Sequence, residues 1–248
     1  MKRVIFITIL IALWEVIYRL QIWPQILFPS PVDVAETFIN GFISGRFRTA
    51  LRHSFRRLLI GYSISLVLGT FLGFLIASFK TIEETLGAFI LALQSVPSIV
   101  WLPLAILWFR MGEAAIIFIV ILGGTWNMVI ESSAGIKNVK PILIKAAKTM
   151  GLQGPKLFIK VILPASVPHL ITGMRISWAF SWRALMAGEL LGSGSGLGYV
   201  LMWGQETGNM SLVISVMIII ALLGTITDNL IFQPLENKVL ERWGFEAV

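Results

Sequence analysis

Residues 138–164 read NVKPILIKAAKTMGLQGPKLFIKVILP, a basic and punctuated interval between two apolar segments of membrane-crossing length. Pro141 pre-sets φ for the first turn of a helix, where a missing N–H costs nothing. Gly151 suits the left-handed position that follows a last helical turn. Pro155 opens a second short helix, and Pro164 is expected to end it. Lys137, Lys140, Lys145, Lys148, Lys156 and Lys160 make the interval and its edge strongly basic. Two helices too short to cross a bilayer, charged in this way, predict a structured loop outside the lipid. Such a loop is expected to be where the chain meets another protein.

The 248 residues are 56% hydrophobic and only 13% charged, against about a quarter charged in a soluble domain. With several apolar runs near twenty residues, the predicted class is all-α and polytopic, because a spanning segment must satisfy its own backbone hydrogen bonds. The alternating ten-residue segments of a β-barrel are absent. A formal net charge of +7 would suggest a nucleic-acid partner in a soluble protein. Here the basic residues gather in loops, where they set orientation and meet membrane lipids, and no nucleic acid is expected. The lack of cysteine removes disulfides, iron–sulfur clusters and cysteine-based zinc sites from consideration. The basic start and its apolar run lack a small-residue cleavage site, which predicts a retained first span rather than a removed signal peptide.

Six spans in a single domain are expected, at about 3–20, 58–79, 86–109, 114–132, 167–191 and 212–232. Glu15 lies in the first. Pro24, Pro29 and Pro31 interrupt the interval after it, and Ser30-Pro31-Val32-Asp33 marks the start of a helix lying along the interface. Gly61, Gly69 and Gly73 in the second span allow another helix to approach closely. Residues 80–84 read as a polar turn. Gln94, Ser95, Pro97 and Pro103 break the third span, freeing carbonyls that must face protein or a wet cavity. The glycine-rich stretch 192–198 reads as a hairpin, a re-entrant stretch or a mobile turn, and a tail of mixed charge begins at Glu236.

An even number of spans puts both termini on one side. With Lys2 and Arg3 cytoplasmic, the basic loop, Lys80, Lys238 and Arg242 share that side. The same parity places Arg46, Arg48, Arg52, Arg56 and Arg57 outside, against the positive-inside tendency. That cluster is expected to be an outer interfacial helix, serving either as a docking surface or as a headgroup contact.

No G-x4-G-K-[ST] phosphate loop occurs, His53 and His169 stand apart without metal-ligand spacing, and no nucleophile–base pair stands out. No catalytic residue, metal site or resident cofactor is therefore assigned, and an enzyme is not expected. Intramembrane polar groups are the informative ones, since they normally face a cavity or a partner. Gln94, Ser95, Asn127, Ser181, Arg183 and Glu189 are candidates for a translocation pathway. Arg183 either touches a passing anion or pairs with Glu189 or Glu131. Arg175 is expected to snorkel or brace the loop, Asp228 and Asn127 to bond between helices, and Trp178, Trp182 and Trp203 to pack.

Lys145-Ala146-Ala147-x3-Gly151, followed at nine residues' spacing by Val161-Ile162-Leu163-Pro164, resembles the EAA loop of binding-protein-dependent ABC transporter permeases. One residue departs from that pattern, Lys145 standing where the family has glutamate. Leu27-Phe28-Pro29-Ser30-Pro31, Val96-Pro97 with Pro103-Leu104 and Trp108-Phe109, Gly173-Met174-Arg175, Ala187-Gly188-Glu189 and Gly196-Leu197-Gly198 extend the resemblance to the nitrate/sulfonate/taurine class over nearly the whole chain. The resemblance implies a homodimeric pore in the cell membrane, two cytoplasmic ATPase subunits that hold ATP and Mg, and an extracytoplasmic solute-binding protein. It implies import of a small oxyanion or organosulfonate, with a thiamine-precursor-like solute as the alternative. Lys145, Ala146, Ala147, Met150, Gly151, Leu152, Val161, Leu163 and Pro164 would then form the ATPase-coupling surface. A secondary transporter is the competing class, but it would need repeated halves and buried coupling carboxylates.

Overall fold

The computed structural model describes residues 2–192 and 194–242, and among them no strand occurs. Expectations concerning the side chains of Lys2, Arg3 and Arg242, Ser193, and the tail past Arg242 lie outside the described residues.

Among the described residues ten helices follow in order: α1 Lys2–Arg19, α2 Pro31–Ile43, α3 Arg46–Ser78, α4 Lys80–Gln94, α5 Ser98–Phe109, α6 Glu113–Lys137, α7 Pro141–Thr149, α8 Gly154–Leu191, α9 Leu197–Glu206 and α10 Met210–Val239. Among them α3, α6, α8 and α10 are each long and apolar enough to cross a membrane, and α4 with α5 forms a fifth, broken candidate bent by 95°. The bend falls at Val96-Pro97, where proline's missing N–H ends the first arm. The expected first span corresponds to α1, which includes Lys2, Arg3, Glu15 and Arg19 and is not among these candidates.

Three expectations are corrected. The arginine cluster is not a separate interfacial helix but the first third of α3, a single run of 33 residues. Residues 80–84 are not a turn, because α4 starts at Lys80 and passes through a π-helical turn at Glu83–Gly87. Pro164 does not end a short helix, since α8 runs unbroken through it, over 38 residues. The reason is local: a π turn at Phe158–Ile162 precedes Pro164, and the Leu163 N–H donates to Phe158 O, five residues back. A wider turn relieves the clash and the lost bond that proline imposes on a regular α-helix. The same device recurs in α10, where a π turn at Asp228–Phe232 precedes Pro234 and the helix continues beyond it.

The chain divides into two compact units, one running to Arg56 and including Glu189–Leu223, the other Arg57–Gly188 with the residues from Gly224 onward. In the first, Ser30 caps α2 as predicted: its Oγ accepts from Asp33 N at 3.1 Å, and Asp33 Oδ2 accepts from Ser30 N at 3.1 Å. Ser215 Oγ of α10 donates to Val34 O at 3.1 Å, tying α10 to α2. Phe47 is fully buried against Gly41.

In the second unit α6 is the central helix, with 56% of its apolar window buried against 22–33% for the other three long candidates. Small residues let two helices close on it. A Cβ at Gly61, Gly69 or Gly73 would meet Val120, Met128 or Ser132 at 2.5–2.6 Å, a constant offset that makes α3 and α6 parallel. On the opposite register, Gly123 meets Ala184, Gly173 meets Glu131 and Gly135 meets His169, so α8 runs antiparallel to α6.

Candidate functional site

The loop predicted from the sequence is built as two helical arms around a bend. Pro141 sits in the first turn of α7. At its other end Leu152 N donates to Ala147 O and Gly151 N to Lys148 O, both at 3.0 Å. This is the paired 6→1 and 5→2 pattern of a Schellman stop. Gly151 supplies the left-handed backbone with φ +83°, and an added Cβ there would touch nothing. Lys148 in the last turn of α7 favours the helix further by facing its negative end. Pro155 then opens α8 as expected.

Ala147 is buried and anchors α7, whereas Lys145, Ala146 and Gly151 are exposed and Leu152 is half-buried. Val161, Leu163 and Pro164 are also half-buried, lining the start of α8. Met150 is 82% exposed, and Ile142 and Ile159 are 67% and 61% exposed. Large apolar side chains among exposed lysines, at and beside the bend between α7 and α8, mark a surface suited to a protein partner. Ile142 and Ile159 were legible only as apolar residues; their outward aim depends on the bend.

Further along α8, charged groups converge. Arg175 Nε and Nη2 donate to Asp228 Oδ1 and Oδ2 at 2.6 and 2.7 Å, and its Nη1 donates to Glu236 Oε2 at 2.6 Å. Thr172 Oγ1 donates to the other Glu236 oxygen at 3.0 Å. Trp178 stacks against Phe232 at 5.8 Å and edge-on to Tyr62 at 5.0 Å. Arg175 thus joins α8 to the end of α10, a role as strut rather than a snorkelling chain. Thr172, Arg175, Trp178, Asp228 and Glu236, with Trp182 and Arg183, line a cavity of about 490 Å³. Arg183 is exposed and lies over the Phe180 ring at 5.2 Å. Glu131, one expected partner, instead meets His169 Nδ1 at 3.8 Å.

The other pathway candidates are dispersed. Gln94 Nε2 donates to Asn127 Oδ1 at 3.3 Å, and Asn127 Nδ2 to Gly123 O at 3.1 Å, so the break after α4 is pinned to α6. Ser95 is exposed and donates to Leu91 O. Ser181 is fully buried and donates to Val120 O at 3.3 Å.

Glu189 is also fully buried. Ser54 Oγ donates to it at 2.7 Å, Gly198 N donates at 3.1 Å, and Leu197 N donates to Ser54 Oγ at 2.9 Å. The carboxylate therefore caps the positive end of α9, which compensates a buried charge. Gly196, with φ +103°, is pressed against that carboxylate, and any side chain there would collide with it. Glu189 thus holds α9. Ser54, 135 residues away, carried no sequence signal for this role. Among the described residues no three His, Asp or Glu side chains gather at metal-binding spacing.

Small-residue helix packing, a broken span and an exposed two-arm loop define a polytopic helical membrane protein. Residues 65–233 match the family described as binding-protein-dependent transport system inner membrane component, and the chain belongs to that family. It is 32% identical to an aliphatic sulfonates transport permease protein, SsuC, of Bacillus subtilis (strain 168), over 97% of this chain and 87% of that one. It is 31% identical to the nitrate import permease protein NrtB of Leptolyngbya laminosa, over 72% of this chain and 64% of that one. A chain of the MetNI methionine ABC transporter superposes with a TM-score of 0.69 at 18% identity, covering 77% of this chain and 94% of that one, which shows the shared fold. The chain is a multi-pass permease subunit of an ABC importer.

Proposed function

We propose that this permease imports a small oxyanion or organosulfonate, with ATP and Mg held by a separate ATPase subunit and solute delivered by an extracytoplasmic binding protein. Relatives named for sulfonate and nitrate transport support that substrate class. Two copies form the pore, and the loop at 138–164 receives the ATPase. Lys145, Ala146, Ala147, Met150, Gly151, Leu152, Val161, Leu163 and Pro164 make the contact or set its shape. Gln94, Ser95, Asn127, Ser181 and Arg183 belong to the translocation path, with Arg183 offering positive charge to the anion. Six spans, counting α1, leave both termini cytoplasmic.

The observation that carries this reading is the loop's continuity with α8. A surface bearing an 82%-exposed Met150 is separated by one Schellman bend from a helix that runs 38 residues without interruption. A push on the loop is thereby delivered along α8 to the Arg175 strut and to Arg183. ATP-driven closure of the partner subunits would shift the loop and turn the pore outward, and hydrolysis would reset it.

The purified chain alone is expected to show no ATP hydrolysis. Met150→Glu should weaken co-purification with the ATPase by roughly ten-fold while leaving the chain's own thermal unfolding unchanged, since the side chain is exposed. Intrinsic hydrolysis, or undiminished co-purification, would overturn the assignment. Affinities of the binding protein for nitrate, sulfonates and pyrimidines decide the substrate class.

A further inference from the structure

The arginines at the start of α3 have no part in the transport reading. At 100° per residue, Arg48, Arg52 and Arg56 occupy a sector of about 80°, and all three are exposed. Continued along the same helix, Leu59 falls inside that sector, and Val67, Ile60 and Phe71 lie about 20°, 40° and 60° past its edge; the four are 51%, 70%, 40% and 59% exposed. The chemistry of this side of the helix therefore changes from guanidinium to hydrocarbon between Arg56 and Leu59. From Leu59 to the end of α3 at Ser78 is about 30 Å at 1.5 Å per residue, the thickness of a bilayer's hydrocarbon core. The remaining start of the helix stands beyond that core.

The depths of the three arginines differ in a useful way. A headgroup layer adds about 5–7 Å on each side. Arg56 stands about 4.5 Å along the axis from Leu59, and Arg52 about 10 Å, within the reach of a side chain that snorkels back. Arg48 stands about 16 Å out, past the layer. The Arg46 guanidinium lies over the Trp203 ring at 4.8 Å.

We propose that Arg52 and Arg56 form a binding surface for the phosphodiester headgroups of anionic phospholipids. The occupant is a bilayer surface because the stripe continues an apolar face of bilayer length on the same helix. Guanidinium is the side chain whose fork matches phosphate oxygens. A second copy of the chain fits poorly: a two-fold axis along the membrane normal would set arginine against arginine. The surface also accounts for a basic cluster that sequence parity places on the side where positive loops are rare.

The test is lipid binding to the full chain in neutral detergent, with phosphatidylglycerol and phosphatidylcholine titrated separately and bound lipid counted by native mass spectrometry. Wild type should prefer phosphatidylglycerol, and the preference should collapse at about 1 M salt, where the Debye length is ~3 Å. Arg52→Gln should lower phosphatidylglycerol affinity about five-fold, with Arg56→Gln similar. Arg48→Gln should change it less than about two-fold, and Arg52→Lys, which keeps the charge and loses the fork, should fall between wild type and Arg52→Gln. Phosphatidylcholine binding and thermal unfolding should be unchanged in Arg52→Gln, which separates lost binding from lost folding. The proposal is overturned if Arg52→Gln keeps the full preference. It is equally overturned if Arg48→Gln loses as much, because the stripe would then face an acidic protein surface extending beyond the headgroups.

Discussion

Glu189 shows how a single residue takes its meaning from its surroundings. A carboxylate in an apolar segment invites a functional reading, because a charge there is costly unless it is paired or solvated. Here it is fully buried, and Ser54 Oγ and Gly198 N both donate to it. Removing the acceptor strands those donors, whereas glutamine keeps one carbonyl oxygen for them. Glu189→Ala should therefore destabilise the chain by about 3 kcal/mol and Glu189→Gln by about 1 kcal/mol, checked by thermal unfolding in detergent. Equal losses would mean that charge, rather than acceptor geometry, holds α9. Asp228 is the converse case: its type and depth suggested an interhelix bond, and only the fold supplied Arg175 as the partner.

At the scale of elements, the loop was readable because its punctuation is local. Pro141, Gly151 and Pro155 act on their own backbone dihedrals, so their positions predict α7, its stop and the start of α8. Gly151→Ala should cost about 1–2 kcal/mol locally, since φ is +83° and the added methyl meets no neighbour that could offset or enlarge the strain. Gly151→Asn should cost less, because Asn tolerates the left-handed region. Amide hydrogen exchange across residues 147–153 measures both, and equal exchange in all three proteins would contradict the Schellman assignment. Pro164 was misread for a reason that is not local. A proline usually ends a helix, but a π turn ahead of it absorbs the defect, and Pro234 repeats the arrangement. Nothing in composition announces a π turn.

For the whole molecule, the number of crossings is the quantity that decides orientation. Four helices qualify by length and composition, the bent α4–α5 pair adds one, and α1 brings the proposed total to six. The chain has no cysteine, so single cysteines report sidedness without background. Cysteines replacing Val4 and Met150 should react with an impermeant maleimide only from the cytoplasmic side, and one replacing Arg48 only from outside. Val4 and Arg48 both reacting from outside, with Met150 inside, would remove α1 from the spans and make the total odd. Val4 reacting inside and Arg48 also inside would remove α1 from the spans.

The amino-acid sequence by itself determined the helical membrane class, the loop, the capped start of α2 and the broken third segment. Each of these depends on hydropathy over a window or on a residue acting on its own backbone. Tertiary structure decided the rest: that α6 is the central helix, that Arg175 ties α8 to α10, that Glu189 caps α9 through Ser54, and that the arginines ride on α3. Those outcomes rest on partners far apart in the chain, such as Ser54 and Glu189 at a separation of 135 residues. A linear pattern records which side chains need a partner, and packing alone chooses which partner they meet.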